Sequence, residues 1–198
     1  MSSFTPSRRS VLRTAAWSAP VVAVAAAAPA FATSGASFTT ITTEPLPFAA
    51  AIPGVVDLGV WTVTLTSEVP VNLPVGTVVP APELTAVITV PNSARNTIAF
   101  FGVTEVSGTA SAPYTVQGQP APLPATVTIP LTTVPASGDM VITTTGPGTS
   151  FTADAAGTFT ISLEDIVADL SLGSLGEQTA NLTRQPGTNY TIATFTVA

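Results

Sequence analysis

The sequence predicts an all-β fold, an antiparallel immunoglobulin-like β-sandwich of about eight or nine strands preceded by a cleavable signal peptide. The first observation is period-2 alternation of Val, Ile, Leu and aromatic residues with Thr, seen best where Trp61, Val63 and Leu65 alternate with Thr62, Thr64 and Thr66. Such alternation places one strand face in a core and leaves the other solvated. The second is punctuation: Pro, Gly, Asn and Ser clusters interrupt these runs every 8 to 15 residues or so, as turns between short strands do. The third is the near absence of helical spacing, which argues against parallel strands joined by helices.

The elements follow in order. A Ser/Thr-rich lead-in contains a first strand at Ser37 to Thr43, and the Pro/Ala stretch from Glu44 to Pro53 reads as a loop. Asp57 to Val69 is the first strong strand, with Trp61 as its core anchor. Four prolines in Pro70 to Pro82 predict an extended loop or edge segment, since proline cannot donate to a central ladder. Leu84 to Val90 resumes a strand. Asn92 to Asn96 reads as a turn into Ile98-Ala99-Phe100-Phe101, a run too short for periodicity to separate helical turn from buried strand. Strands are expected at Thr104 to Ala110, Tyr114 to Gln117, Ala125 to Pro130, Met140 to Thr145, Gly157 to Leu163 and Tyr190 to Val197. Residues 163 to 170 carry both spacings: Leu163, Ile166, Val167 and Leu170 fit a helix face, while Asp165 to Leu170 also alternates, and its strand neighbours favour the strand.

Residues 1 to 32 read as a twin-arginine signal peptide. Arg8 and Arg9 precede Val11-Leu12, a weakly apolar Ala/Val run follows, and the small-residue exit Ala30-Phe31-Ala32 marks cleavage. Residues 33 to 56 form a Thr/Pro-rich segment leading into a β-sandwich domain at 57 to 198. The expected location is extracellular or cell-wall associated, reached by twin-arginine translocation. The Ala19 to Ala30 run is short and carries Pro20 and Pro29, so membrane retention after cleavage is not expected; the C-terminal Tyr190 to Ala198 run reads as a strand rather than an anchor.

Composition narrows the function. Past the signal, the chain holds Arg95 and Arg184 against eleven carboxylates and no lysine, a formal charge of −9. Such a surface cannot neutralise phosphates, which excludes nucleic acid, and it lacks the basic clusters that dock on anionic membranes. Neither Cys nor His occurs, which removes Ser-His-Asp and Cys-His catalysis and most transition-metal ligation; missing lysine removes Schiff bases. No cofactor and no enzymatic activity are expected. The chemistry that survives is carboxylate chemistry: glycoside hydrolysis by an acid pair, or calcium binding.

The densest acid cluster is Glu164, Asp165 and Asp169, in which Asp165 and Asp169 share a face of a strand. These two are the candidate hydrolytic or calcium-binding residues, against the alternative of surface acids that keep an uncharged chain soluble. Asp139 and Asp154 sit beside glycines and read as turn residues. Tyr114, Tyr190 and Trp61 are the aromatics that could stack on a sugar if they were exposed.

The leader resembles those of actinobacterial surface and secreted proteins in its Arg8-Arg9, Ala15-Ala16-Trp17 and Pro20 to Ala32. From about Val60 to Leu170 the chain is similar to a secreted actinobacterial β-sandwich domain family of unknown function, on the phrases Leu73 to Thr77, Ala86 to Val90, Val106 to Ala110, Gly138 to Val141 and Gly157 to Ile161. That family often carries cysteines, which this chain lacks, and the resemblance transfers no site residues. The expectation is a non-catalytic envelope protein that binds cell-wall glycan or another surface protein. A carboxylate-dependent glycan hydrolase is one alternative. The other is a carrier holding an apolar ligand between its sheets, in a cavity lined by residues such as Phe100, Phe101 and Phe159.

Overall fold

The computed structural model describes residues 36–198. The signal residues Arg8, Arg9, Ala30 and Ala32 lie outside the described residues. The described residues form fourteen strands: β1 Ser37–Thr42, β2 Leu46–Ile52, β3 Val56–Leu73, β4 Thr77–Val79, β5 Glu83–Val90, β6 Glu105–Ser111, β7 Tyr114–Val116, β8 Thr126–Thr133, β9 Met140–Pro147, β10 Phe151–Ala153, β11 Gly157–Leu163, β12 Ile166–Ser171, β13 Glu177–Arg184 and β14 Thr191–Val197. Among the described residues one α-helix, α1 (Asn92–Phe100), joins β5 to β6.

The all-β expectation holds, and the sheet architecture differs from a sandwich. Eight strands run β2-β13-β12-β6-β8-β9-β5-β3, and β3 pairs back onto β2, so the sheet closes into an antiparallel barrel. Closure removes the free edges an open sheet would leave. The alternation that predicted a sandwich is equally that of a barrel wall, because both have one apolar and one polar face. What distinguishes them is the pairing of β2 with both β13 and β3, and neither β2 nor β13 reads as a strand in the sequence. The Glu44 to Pro53 stretch, expected as loop, is largely β2, with Ala49 opposite Val60 and Leu46 opposite Val63. Its alternate residues Leu46, Phe48, Ala50 and Ile52 are buried.

Strand β3 is long enough to do three jobs. Its first half pairs with β2 and β5, and its second half receives β1, with Thr42 opposite Thr66 and Phe38 opposite Pro70. Part of the segment expected as loop is therefore strand: Pro70 lies inside β3, and β4 pairs with β10. At its far end β3 meets β14 in parallel, Thr196 opposite Asn72. A small sheet β14-β11-β7 continues from there and turns Tyr114, Ile161, Leu163 and Ile192 toward the barrel interior.

Outward positions carry Thr62, Thr64 and Thr66 on β3, Thr126 and Thr128 on β8, Asp169 on β12, and Glu177, Thr179 and Asn181 on β13. Inward positions are almost all apolar. This polarity is the reverse of a transmembrane barrel, whose apolar band faces lipid. Among the described residues no helix is long and apolar enough to cross a membrane.

The Asn92 to Phe101 region resolves as a helix for non-local reasons. Asp139, from the start of β9, accepts a hydrogen bond from the Asn92 amide at 2.8 Å, satisfying a first-turn donor that Pro91 cannot cap. Buried Arg95 donates to the carbonyls of Gly138 (3.2 Å) and Ala136 (3.1 Å) and to Asn92 Oδ1. The helix is thus fixed to the β8–β9 connection, and it turns Ile98 into the interior beside Leu58 and Leu172.

Candidate functional site

An eight-stranded barrel is just wide enough for its own side chains to fill the lumen or for one small ligand to sit there. Here the lumen is not filled. The barrel encloses a cavity of about 360 Å³ whose wall is almost wholly apolar. Trp61, Leu65, Ile88, Met140, Ile142 and Leu182 supply bulk on several strands. Small side chains meet the cavity on β6 and β12, where the register sets Ala110 against Ala168, and Ala180 of β13 is buried opposite Ala168 without lining the cavity. Ala110 and Ala168, side by side on the cavity wall, leave volume that larger side chains would occupy.

The β6 wall is bent as well as thinned. Pairing with β8 shifts between Val106 and Gly108, and Gly108 has φ of 149°. A Cβ added there would stand 2.0 Å from the Asp169 carbonyl oxygen, so β12 can approach β6 only because this residue is glycine.

Few polar atoms face the cavity. Trp61 Nε1 donates to the Leu58 carbonyl at 3.2 Å. The Tyr114 hydroxyl donates to the Thr149 carbonyl at 2.6 Å and accepts from the Thr149 amide at 3.0 Å. Burial raises the Tyr114 pKa above its ordinary value, and the hydrogen bond its oxygen accepts from the Thr149 amide opposes that shift. Thr144, on the same face of β9 as Met140 and Ile142, does not line the cavity; it is buried and its Oγ1 has no hydrogen-bond partner. The lining residues that reach solvent are Phe38, Glu68, Pro80, Ala81 and Glu83, and they mark the mouth.

The structure distributes the sequence candidates differently. Asp165 and Asp169 share the outward side, away from the cavity, and are engaged separately. Asp165 Oδ1 accepts from the Arg184 amide at 2.9 Å and from its Nε at 3.3 Å, whereas Asp169 Oδ1 accepts from Thr179 Oγ1 at 2.8 Å. Glu164 binds Arg184 Nη2 at 2.6 Å. The acids therefore tie β12 to β13 instead of converging on a cleft. Among the described residues no group of three or more potential ligands is placed to hold a metal ion.

Tyr114, Tyr190 and Trp61 are all buried, so none offers a sugar a stacking face. Tyr190 packs on Phe48 with ring centroids 5.0 Å apart; its hydroxyl donates to the Pro47 carbonyl and accepts from the Gln185 amide at 2.6 Å.

The residues expected to line an apolar cavity are corrected too. Phe100 is 86% exposed, Phe101 borders a separate small hollow of about 110 Å³ beside α1, and Phe159 stacks on Phe195 beyond the barrel wall. The true lining escaped the sequence reading because it comes from alternate positions on most of the barrel strands. The usable signal was small inward residues, Ala110 and Ala168, within otherwise bulky alternations.

Fold and cavity together define the class: a closed antiparallel β-barrel with an apolar interior. The chain belongs to a family of unknown function, DUF6801, whose match spans residues 49–189. That span runs from within β2 to beyond β13 and so takes in the closed ring, leaving β1 and β14 outside it. No curated protein and no solved structure matches the chain.

Proposed function

We propose that this protein is a non-catalytic, exported binding protein that holds a small apolar ligand inside its barrel. The observation that carries the reading is the 360 Å³ apolar cavity. Magnitude favours an occupant: at roughly 24 cal/mol per Å³ of unfilled volume, leaving 360 Å³ empty forgoes on the order of 9 kcal/mol. That is comparable to the whole net stability of a domain, about 5–15 kcal/mol. Water is a poor filler, because an ordered water needs two to four polar partners. A ligand of at least about a dozen heavy atoms fits, allowing about 30 Å³ for each.

Export supports the same reading. The twin-arginine pattern at Arg8-Arg9 supports an exported barrel, a setting in which a carrier shields an apolar molecule from water. The test is extraction of protein purified from its native host with organic solvent, followed by mass spectrometry. The stripped protein is then titrated with the neutral fluorophore phenylnaphthylamine. Saturable binding at one site per chain is expected, and no co-purifying hydrophobe together with no probe binding refutes the proposal. Fractionation of the host into medium, wall and membrane, with N-terminal sequencing of the mature chain, tests the export reading; a start at Thr33 in the medium or wall is expected.

A further inference from the structure

We infer that the cavity selects single-chain amphiphiles that carry no negative charge; this rests on the reading of the cavity as a ligand site. Its wall offers an apolar tail everything and a polar head nothing. The Ser67 hydroxyl is occupied, lying 3.3 and 3.2 Å from the carbonyl oxygens of Glu68 and Glu83, and the Tyr114 hydroxyl is held by Thr149. A head group must therefore sit at the mouth.

Two exposed residues that border it, Glu68 on β3 and Glu83 on β5, are acidic. Ser67 is the register partner of Leu84 across β3 and β5, so the adjoining Glu68 and Glu83 lie at the same level of the rim on neighbouring strands. No lining residue is cationic, and the chain has no lysine. Both described arginines are committed elsewhere. Arg95 is bound to the Ala136 and Gly138 carbonyls, and Arg184 to Glu164 at 2.6 Å and Asp165 at 3.3 Å. A carboxylate or phosphate head at this mouth meets like charge without a counterion, whereas a hydroxyl stays hydrated and an ammonium is attracted.

The experiment displaces phenylnaphthylamine from the stripped full-length mature protein with decanol, decylammonium and decanoate, three ligands sharing one tail, at neutral pH and low salt. Decylammonium should compete most strongly and decanol next, with decanoate at least about tenfold weaker than decanol. Adding salt to the unaltered protein should narrow the gap, since screening reaches charges at the surface. The double variant Glu68→Gln/Glu83→Gln should narrow it too. Decanoate competing as well as decanol overturns charge selection while leaving the ligand cavity intact. A discrimination unchanged by both salt and the double variant overturns the role of the two glutamates. Failure of phenylnaphthylamine itself to bind removes the cavity reading and this inference with it.

Discussion

Ala168→Leu is the perturbation that most directly tests whether the lumen is open. Ala168 is 4% exposed, lines the cavity, and sits between Ala110 and Ala180 in the alanine row of β6, β12 and β13. Leucine adds three carbons that would enter existing space, and at about 0.8 kcal/mol for each buried carbon group the gain is about 2 kcal/mol. For a domain of this size that raises Tm by about 4–8 °C. Thermal unfolding of ligand-stripped protein reads the gain; stripping matters because bound ligand stabilises the native state by mass action and masks it. The same variant should weaken phenylnaphthylamine binding, because side chain and probe compete for one volume. In a close-packed core the extra carbons would instead cost about 1–3 kcal/mol through overpacking. A destabilised variant with unaltered probe affinity refutes the open lumen.

Gly108→Ala should destabilise by more than about 2 kcal/mol in chemical denaturation, because the added Cβ would press on the Asp169 carbonyl and the backbone is in a region that side chains avoid; a change under half of that would mean β12 does not approach β6 as described. Thr144→Val should stabilise by about 1 kcal/mol, since it removes a buried hydroxyl without a partner at nearly constant volume. A loss of stability would reveal a partner for Thr144 Oγ1. The Tyr114 pKa is raised by burial, so the fold favours the neutral phenol. Its share of stability is fully present below the unfolded value of about 10 and is lost as pH climbs from there through the raised folded value. Denaturation midpoints should fall over that alkaline window, and Tyr114→Phe should flatten the fall.

Much of the wall was legible in the sequence because alternation is a local property. Trp61 to Leu65, Leu84 to Val90, Met140 to Thr145 and Ile166 to Leu170 each carry alternating buried and solvated residues, and each lies in a strand. Of the eight barrel strands, the two without a legible pattern are β2 and β13. In β2 the alternation is Leu, Phe, Ala, Ile set against Pro47, Ala49 and Ala51, so the polar half of the pattern is missing and the segment looks like a Pro/Ala loop. In β13 the apolar half is nearly missing, with Ala180 and Leu182 alone against Glu177, Thr179, Asn181 and Thr183. Strand β13 pairs with β12 and β2, and β2 with β3, so both are held by ladder hydrogen bonds on each side and need less from their own side chains. Losing these two from a reading leaves the remaining strands with two free edges, which is why an open sandwich was the natural expectation.

The same reasoning explains why the site was less legible than the fold. Carboxylates and aromatics attract notice as single residues, yet Asp165 and Asp169 serve to join β12 to β13 and its neighbouring turn, and the tyrosines brace the sheet ends. A cavity has no residue of its own. It is the difference between lumen volume, set by strand number and closure, and the side-chain volume directed inward. Once closure through β2 and β13 is known, small inward residues such as Ala86, Ala110 and Ala168 change meaning: in a sandwich they would let two sheets approach, whereas in a closed ring the walls cannot collapse onto them. The barrel therefore converts alanines into space, and restoring the missing volume at one of them is the decisive perturbation of both fold and function.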